Sequence, residues 1–277
     1  MSSKKILFNS HSCPMFVSYG NATSTEAAAF ITATGITDST QISAIRELVN
    51  NLIGYGLWSK MKAIYPFVGG TATTHKYNLK DPQDTDAAFR IIFYGSWVHN
   101  SNGINPNGTN TYADTNLIVS SNLSQNDTHL SYYSRTNSSG TYVEIAAEPT
   151  TNKRISLHVS YSGQIISDSY NYSTGRISYA NPNSTGLYIG SRISATDHKI
   201  YKNGFMVGLK NTGASGSIAD VSAPVIIGAL KTGATIANFF TNRVCSLASI
   251  GSGLSKCDAY YLYKMVQLYQ TTLGRQV

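Results

Sequence analysis

From about residue 64 the chain becomes a series of short strand-like runs, several of which alternate apolar with polar residues at a period of two. In Ile155-Ser-Leu157-His-Val159-Ser-Tyr161 every odd position is apolar or aromatic, the pattern of a strand with one face buried and one wet. Arg154–Tyr161 is one of a series of strand candidates, with Phe89–Tyr94, Leu130–Arg135, Tyr142–Ala146, Gln164–Ser169, Leu187–Arg192, Lys199–Lys202, Phe205–Lys210, Val225–Ala229 and Val244–Ile250. Turn dipeptides separate them: Asn102-Gly103, Asn107-Gly108, Ser139-Gly140, Ser162-Gly163 and Asn203-Gly204. Asn203-Gly204 suits a two-residue type I′ turn, whose central residues both need positive φ. Strands at this spacing predict a mainly β chain, an antiparallel sandwich of two packed sheets.

The period changes to helical at both ends. Ser24 or Thr25 caps a short helix through Phe30, which Gly35 stops. Asp38 or Ser39 caps a longer one, with Ile42, Ile45, Leu48, Val49, Leu52 and Ile53 on one stripe. Near the C-terminus Ser255 caps a helix carrying Tyr261, Leu262, Met265, Val266, Leu268 and Tyr269. The chain divides into residues 1–22, an arm with extended pieces at Ile6–Asn9 and Met15–Tyr19; residues 23–62, a helical segment packing on the sandwich; and residues 63–277, the sandwich with its C-terminal helix. The terminal helices are expected side by side, covering one end or edge of the sandwich, where exposed strands need protection. The arm has no core of its own, so a partner is expected to supply its burial.

Composition narrows the function classes. Charged residues are 13% of the 277, about half the usual share. The formal net charge of +7 arises from few acids, and the cations are scattered. No basic stripe interleaves with aromatics, so nucleic acid is not an expected partner. No stretch is long and apolar enough to span a bilayer, so membrane insertion is not expected either. The start, Met1-Ser-Ser-Lys-Lys-Ile-Leu-Phe, holds too short an apolar run for a signal peptide. Cys13, Cys245 and Cys257 are odd in number and lack metal-ligand spacing. They are read as buried free thiols of a reducing compartment, with a Cys245–Cys257 bridge left open.

Catalytic patterns are missing. Of the four glutamates, Glu26 and Glu47 fall on predicted helices, and Glu144 and Glu148 on one strand without the facing arrangement a glycosidase needs. No catalytic residue and no cofactor are expected. Asp81, Asp84 and Asp86 crowd one turn and are read as a solvated loop rather than a calcium site, so no metal ligand is assigned. The six histidines are dispersed, and His158 and His198 are read as surface positions. Nineteen tyrosines suggest an interaction surface. Trp97, Tyr112, Tyr170 and Tyr172, in or near predicted loops, are the candidate ligand-binding residues.

Leu187-Tyr-Ile-Gly190 followed by His198-Lys-Ile-Tyr-Lys-Asn-Gly204 resembles the signature of the concanavalin A-like, laminin G-like jelly roll. Ala63-Ile-Tyr-Pro-Phe-Val-Gly-Gly70, Tyr77-Asn-Leu-Lys-Asp-Pro82, Asn107-Gly-Thr-Asn-Thr-Tyr-Ala-Asp114, Ile250-Gly-Ser-Gly-Leu-Ser255 and Thr272-Leu-Gly-Arg-Gln276 resemble its tailed-phage and prophage virion version. That resemblance, over roughly residues 36–277, implies a non-enzymatic virion protein assembled in the bacterial host cytoplasm. It would be a homo-oligomeric head or tail fibre or decoration subunit. Its outward lectin-like domain would contact the host surface or its glycans, and its arm would join other virion proteins. A free carbohydrate-binding module is the alternative, and a polysaccharide-degrading glycosidase a more distant one.

Overall fold

The computed structural model describes residues 13–277 except 211, 214, 237 and 238. The chain enters through helices α1 (Thr25–Thr34) and α2 (Ser39–Gly54) and then strand β1 (Met61–Tyr65). A short helix, α3 (Ala72–His75), precedes β2 (Ile92–Tyr94), β3 (Val98–Asn100), β4 (Gly103–Asn105) and β5 (Tyr112–Ile118). After α4 (Val119–Asn122) come β6 (Thr128–Ser134), β7 (Ile145–Thr150), β8 (Lys153–Tyr161), β9 (Gln164–Asp168) and β10 (Arg176–Ala180). Then follow β11 (Gly186–Ser194), β12 (Asp197–Lys202), β13 (Phe205–Lys210) and β14 (Pro224–Ile227). The small pair β15 (Lys231–Thr232) and β16 (Thr235–Ile236), then β17 (Cys245–Gly251) and α5 (Lys256–Thr272), complete the chain.

The strands form two sheets. One runs β13-β12-β11-β6-β17-β4-β3, with β1 also on β17; the other runs β10-β9-β8-β7-β14-β5-β2, with β15 and β16 beside β7. All pairings are antiparallel except the single β15–β7 bridge. The expected sandwich is therefore the observed one. The predicted hairpin turn is present, with φ of 50° at Asn203 and 78° at Gly204. Each terminal helix has its foreseen cap: Ser24 accepts from the Ala27 N–H, Asp38 from the Gln41 N–H, and Ser255 and Asp258 form a reciprocal capping box. Among the described residues no helix is long and apolar enough to cross a membrane.

The helices lie elsewhere than expected. They cover a whole sheet face rather than an end or edge. In the first sheet both parities are apolar. Leu130, Tyr132, Tyr188, Ile200, Ala248 and Ile250 face the second sheet. Tyr133, Leu187, Ile189, Tyr201 and Leu247 face the other way, against Ile45, Leu48, Val49, Leu52, Leu262, Met265 and Val266 of α2 and α5. A sheet with two apolar faces must be covered on both. The result is three layers, helices on sheet on sheet, and among the described residues no helix covers the outer face of the second sheet. Arg275 fastens the chain end to this frame. Its buried guanidinium donates to the carbonyls of Pro66, Phe67, Ser101 and Ser246 and to Gln270.

Segment 13–22 is extended coil that lies on its own chain. The Tyr55 hydroxyl bonds both the N–H and the C=O of Val17, Asn51 accepts from the Tyr19 N–H, and the Phe16 ring stacks on Tyr55 at 5.3 Å. The predicted piece Ile6–Asn9 lies outside the described residues. The thiol reading needs correction. Cys13 and Cys257 are joined in a disulfide that ties the segment to α5, and Cys245 alone is free and buried. Spacing could not reveal a bridge between residues 244 positions apart. Reducing it is expected to lower stability by roughly 2–4 kcal/mol, because the unfolded chain regains the freedom of a long loop. A Cys257→Ser variant and the reduced wild type should unfold at the same lower urea midpoint.

Several strands were illegible or shifted. β5 carries Asp114, Thr115 and Asn116 mid-strand, with Asn116 at φ 57°, which breaks the alternation. The run read as Phe89–Tyr94 begins at Ile92, because Phe89 adopts φ 58° to close a 3-10 turn. Ile53, placed on the apolar stripe of α2, is 41% exposed at its end.

Candidate functional site

On β8, Ile155, Leu157 and Val159 point into the core between the sheets. Arg154, Ser156 and His158 therefore point out of the second sheet. Their neighbours on this outer face are Glu148 of β7, Ile166 and Asp168 of β9, and Arg176 of β10. Here the sheet opens into a pocket of about 400 Å³, within the range of small-ligand sites. Arg154, Arg176, Glu148, His158 and Ile166 line its floor, and Tyr161, Tyr172, Val143, Leu230 and Phe239 its walls, with Thr151 and Thr232 at the margin.

The floor is a network of paired charges. Arg176 grips Asp168 in two hydrogen bonds of 2.7 and 2.8 Å. Arg154 Nε lies 2.7 Å from Glu148 Oε2 and 3.7 Å from Asp168 Oδ2. Ser156 donates to Asp168 at 2.7 Å, and His158 Nε2 is 2.9 Å from that serine oxygen. Thr232 donates to Glu148 Oε1 at 2.7 Å. Burial pushes the Asp168 carboxyl up, but Arg176 and His158 outweigh it and hold the group well below the usual carboxylate range. Asp168 is thus an anion at any physiological pH, a structural counter-charge rather than a proton donor.

The aromatic wall is set by one turn. Asn171 Oδ1 accepts from the Ser173 and Thr174 N–H groups, an Asx turn that carries Tyr172 over the floor. The guanidinium carbons of Arg154 and Arg176 stand 4.9 and 5.2 Å from its ring centre. Opposite, Tyr161 packs against His158 and Phe239, with ring centres 5.4 and 6.0 Å away.

Of the four candidate residues, only Tyr172 lines this pocket. Tyr170 is corrected: it is buried, at φ 61°, and its hydroxyl bonds Thr128 Oγ1 at 2.8 Å and Ser124 O at 3.1 Å. The left-handed backbone turns its side chain inward, where it anchors the loop that presents Tyr172. Trp97 and Tyr112 lie at the β2–β5 side of the second sheet. Tyr112 stacks on Tyr94 at 4.6 Å, Trp97 Nε1 donates to the Tyr112 carbonyl, and Trp97 packs edge-on against Phe93. Leu230 and Phe239 wall the pocket, and Lys231 reaches Asp114 of β5 at 3.9 Å.

Both histidines read as surface positions are buried. His198 shares its parity with core residue Ile200 and bonds Ser167 at 3.0 Å between the sheets. His158 points outward but lies beneath the pocket. Glu144 and Glu148 do not face one another. Glu144 is buried with Arg243 and accepts from the Val159 N–H at 2.7 Å. In the acidic turn, Lys76 and Arg90 pair with Asp84, Arg90 pairs with Asp86, and Gln83 bonds Asp81. Among the described residues no group of three or more potential ligands is placed to hold a metal ion. Sequence reasoning passed over Arg154, Arg176, Tyr161 and Phe239. The even positions of β8 carried a signal, since a wet strand face bearing Arg, Ser and His is a place for polar recognition.

No protein-family profile matches the chain, and no curated protein matches it in sequence. Solved structures do match in shape. Domain 4 of a GH43 extracellular arabinanase from Geobacillus stearothermophilus, solved with arabinotriose, superposes with a TM-score of 0.50 at 13% identity, over 73% of this chain and 98% of that one. The binding domain of botulinum neurotoxin serotype D gives 0.49 at 11% identity, over 74% and 52%. The CBM40 domain of a Ruminococcus gnavus IT-sialidase, bound to α2,3-sialyllactose, gives 0.36 at 13% identity, over 47% and 77%. The fold is a two-sheet β sandwich similar to that of the arabinanase domain, and at this identity the likeness speaks to fold alone.

Proposed function

We propose that this protein is a non-catalytic glycan-binding protein whose site is the pocket on the outer face of the second sheet. The observation that carries the reading is the composition of that pocket: aromatic rings on its walls above a floor of hydrogen-bonding side chains. Sugars present both apolar C–H faces and hydroxyl edges, and such a site matches both. The solved arabinanase domain of similar fold holds a saccharide, arabinotriose, which supports the choice. A glycosidase needs one carboxyl group kept protonated as the acid. Asp168 is held ionised by Arg176 and His158, and Glu144 is sealed in the core, which supports a binding role.

The test is a glycan array followed by calorimetry. Tyr172→Ala or Tyr161→Ala is expected to weaken binding of a captured glycan about tenfold, the scale of one lost aromatic contact. Tyr112→Ala, outside the pocket, should leave affinity unchanged. Equal loss from all three variants would place the site elsewhere. Turnover of the glycan by the wild type would replace the binding role with an enzymatic one.

Display on a tailed-phage particle, as an oligomeric head or tail fibre or decoration subunit, is proposed from the motif resemblance alone. The Cys13–Cys257 bridge suits a protein that works in oxidising surroundings. Mass spectrometry of purified virions tests the assignment, and absence from the particle would leave the free module as the reading.

A further inference from the structure

The layering of charge in the pocket narrows its ligand. The carboxylates lie behind: the side chains of Glu148 and Asp168 are 3% and 0% exposed. The guanidiniums lie in front, at 12% for Arg154 and 30% for Arg176. The acids meet the arginines through Nε and one terminal nitrogen. Arg154 uses Nε toward both carboxylates, and Arg176 uses Nε and Nη2 on Asp168. Among the described residues, no protein acceptor takes a hydrogen bond from either terminal nitrogen of Arg154 or from Nη1 of Arg176. The guanidinium carbons of both arginines lie 4.9 and 5.2 Å from the centre of the Tyr172 ring.

Most acceptors of the floor are occupied, and the one that makes no hydrogen bond, Glu148 Oε2, is buried against Arg154 Nε. Glu148 Oε1 takes the Thr232 hydroxyl, and Asp168 takes Arg176 and Ser156. What the pocket offers a ligand is therefore mostly donors, and charged ones. An uncharged ring with hydroxyls alone would leave guanidinium hydrogens without a strong acceptor. A carboxylate would meet planar forks whose geometry matches its own. It would also lie nearer the front cations than the buried anions behind them.

We infer that the pocket takes an acidic saccharide and holds the carboxylate of a sugar ring on the outward nitrogens of Arg154 and Arg176, with Tyr161, Tyr172 and Phe239 against the ring. This rests on the pocket being a glycan site. Calorimetry on the full chain separates the two claims, using galacturonate trimer and sialyllactose beside their neutral counterparts, galactose trimer and lactose. Tighter binding of either acidic sugar by about 10- to 100-fold supports the inference, and the two acids distinguish a uronate from a sialate ligand. That preference should shrink as salt is raised and disappear in Arg154→Gln and Arg176→Gln. Glu148→Gln removes a counter-charge behind Arg154 and should hold or raise the affinity for acid, whereas a purely structural glutamate would lower it. Should Arg176→Gln not fold, the salt series and Arg154→Gln decide. Neutral sugars binding as tightly as acidic ones would overturn the inference and leave the glycan site standing. Binding of no saccharide at all would overturn both.

Discussion

Moving from pH 7 to pH 5 is expected to remove about 6 kcal/mol of folding stability, with the loss beginning near pH 6.5. Three buried histidines cause it. Burial lowers His75 to about 3, assisted by the neighbouring His99 and Arg275. Burial lowers His129 to about 4, against the opposing pull of the Ser252 carbonyl. Burial, with Arg192 beside it, lowers His198 to about 4. In the unfolded chain each titrates near 6.5. Below that pH the unfolded state takes up protons that the folded state refuses, so stability falls as pH falls. The contribution is fully present above the unfolded value and is lost down to the folded ones, at about 2 kcal/mol per histidine by pH 5. Urea midpoints measured from pH 7.5 to 4.5 should decline steeply below 6.5. His129→Gln, which keeps hydrogen-bonding capacity toward Ser249, should remove about a third of the slope. A flat profile between pH 7 and 5 would show that these rings are reached by water in the native state. Asp168 adds to the decline at lower pH. Its folded carboxyl is held below the unfolded value, so the stability it lends is present above about pH 4 and fades beneath it.

Arg243→Met is expected to cost about 3–5 kcal/mol, the penalty for leaving a buried carboxylate without its partner. At about 2–4 °C per kcal/mol the thermal midpoint should fall by roughly 10 °C. Arg243 and Glu144 are both fully buried. Arg243 Nη1 donates to Glu144 Oε1 at 2.5 Å, while Nη2 donates to the carbonyls of Ser138 and Ser160 at 2.6 and 3.0 Å. Glu144 in turn accepts from Val159 and Thr241. One ion pair thus joins the stretch before β7, strand β8 and the approach to β17. Adding Glu144→Gln to the methionine variant should recover part of the loss, because the amide oxygen still accepts from Val159 without a stranded charge. Calorimetric midpoints of the two single variants and the double variant check this. An additive double variant would mean that the two groups do not interact.

The same comparison shows which parts of the molecule were legible. Helix boundaries at Ser24, Asp38 and Ser255 came from cap chemistry, which is local and needs only three or four residues to declare itself. The hairpin at Asn203-Gly204 came from a backbone requirement that few dipeptides meet. β5 escaped because its polar middle, with Asn116 in a left-handed conformation, imitates a loop. His198 was misread because parity, not polarity, sets which face a strand residue occupies, and Ile200 two residues on already marked that face as core. Tyr170 and Tyr172 looked equivalent, yet one left-handed residue turned the first inward as an anchor and left the second over the pocket.

By itself the sequence determined the two-sheet sandwich and its terminal helices, because period, caps and turns are properties of neighbouring residues. Tertiary structure decided which sheet face stays open, because that depends on which strands carry apolar residues at both parities and so draw the helices onto themselves. It also decided the pocket. Glu148, Arg154, Asp168 and Arg176 come from four different strands, and only the pairing register brings two cations and two anions onto one face. The Cys13–Cys257 bridge belongs to the same class, since its halves are 244 positions apart in sequence and meet only in the packed chain.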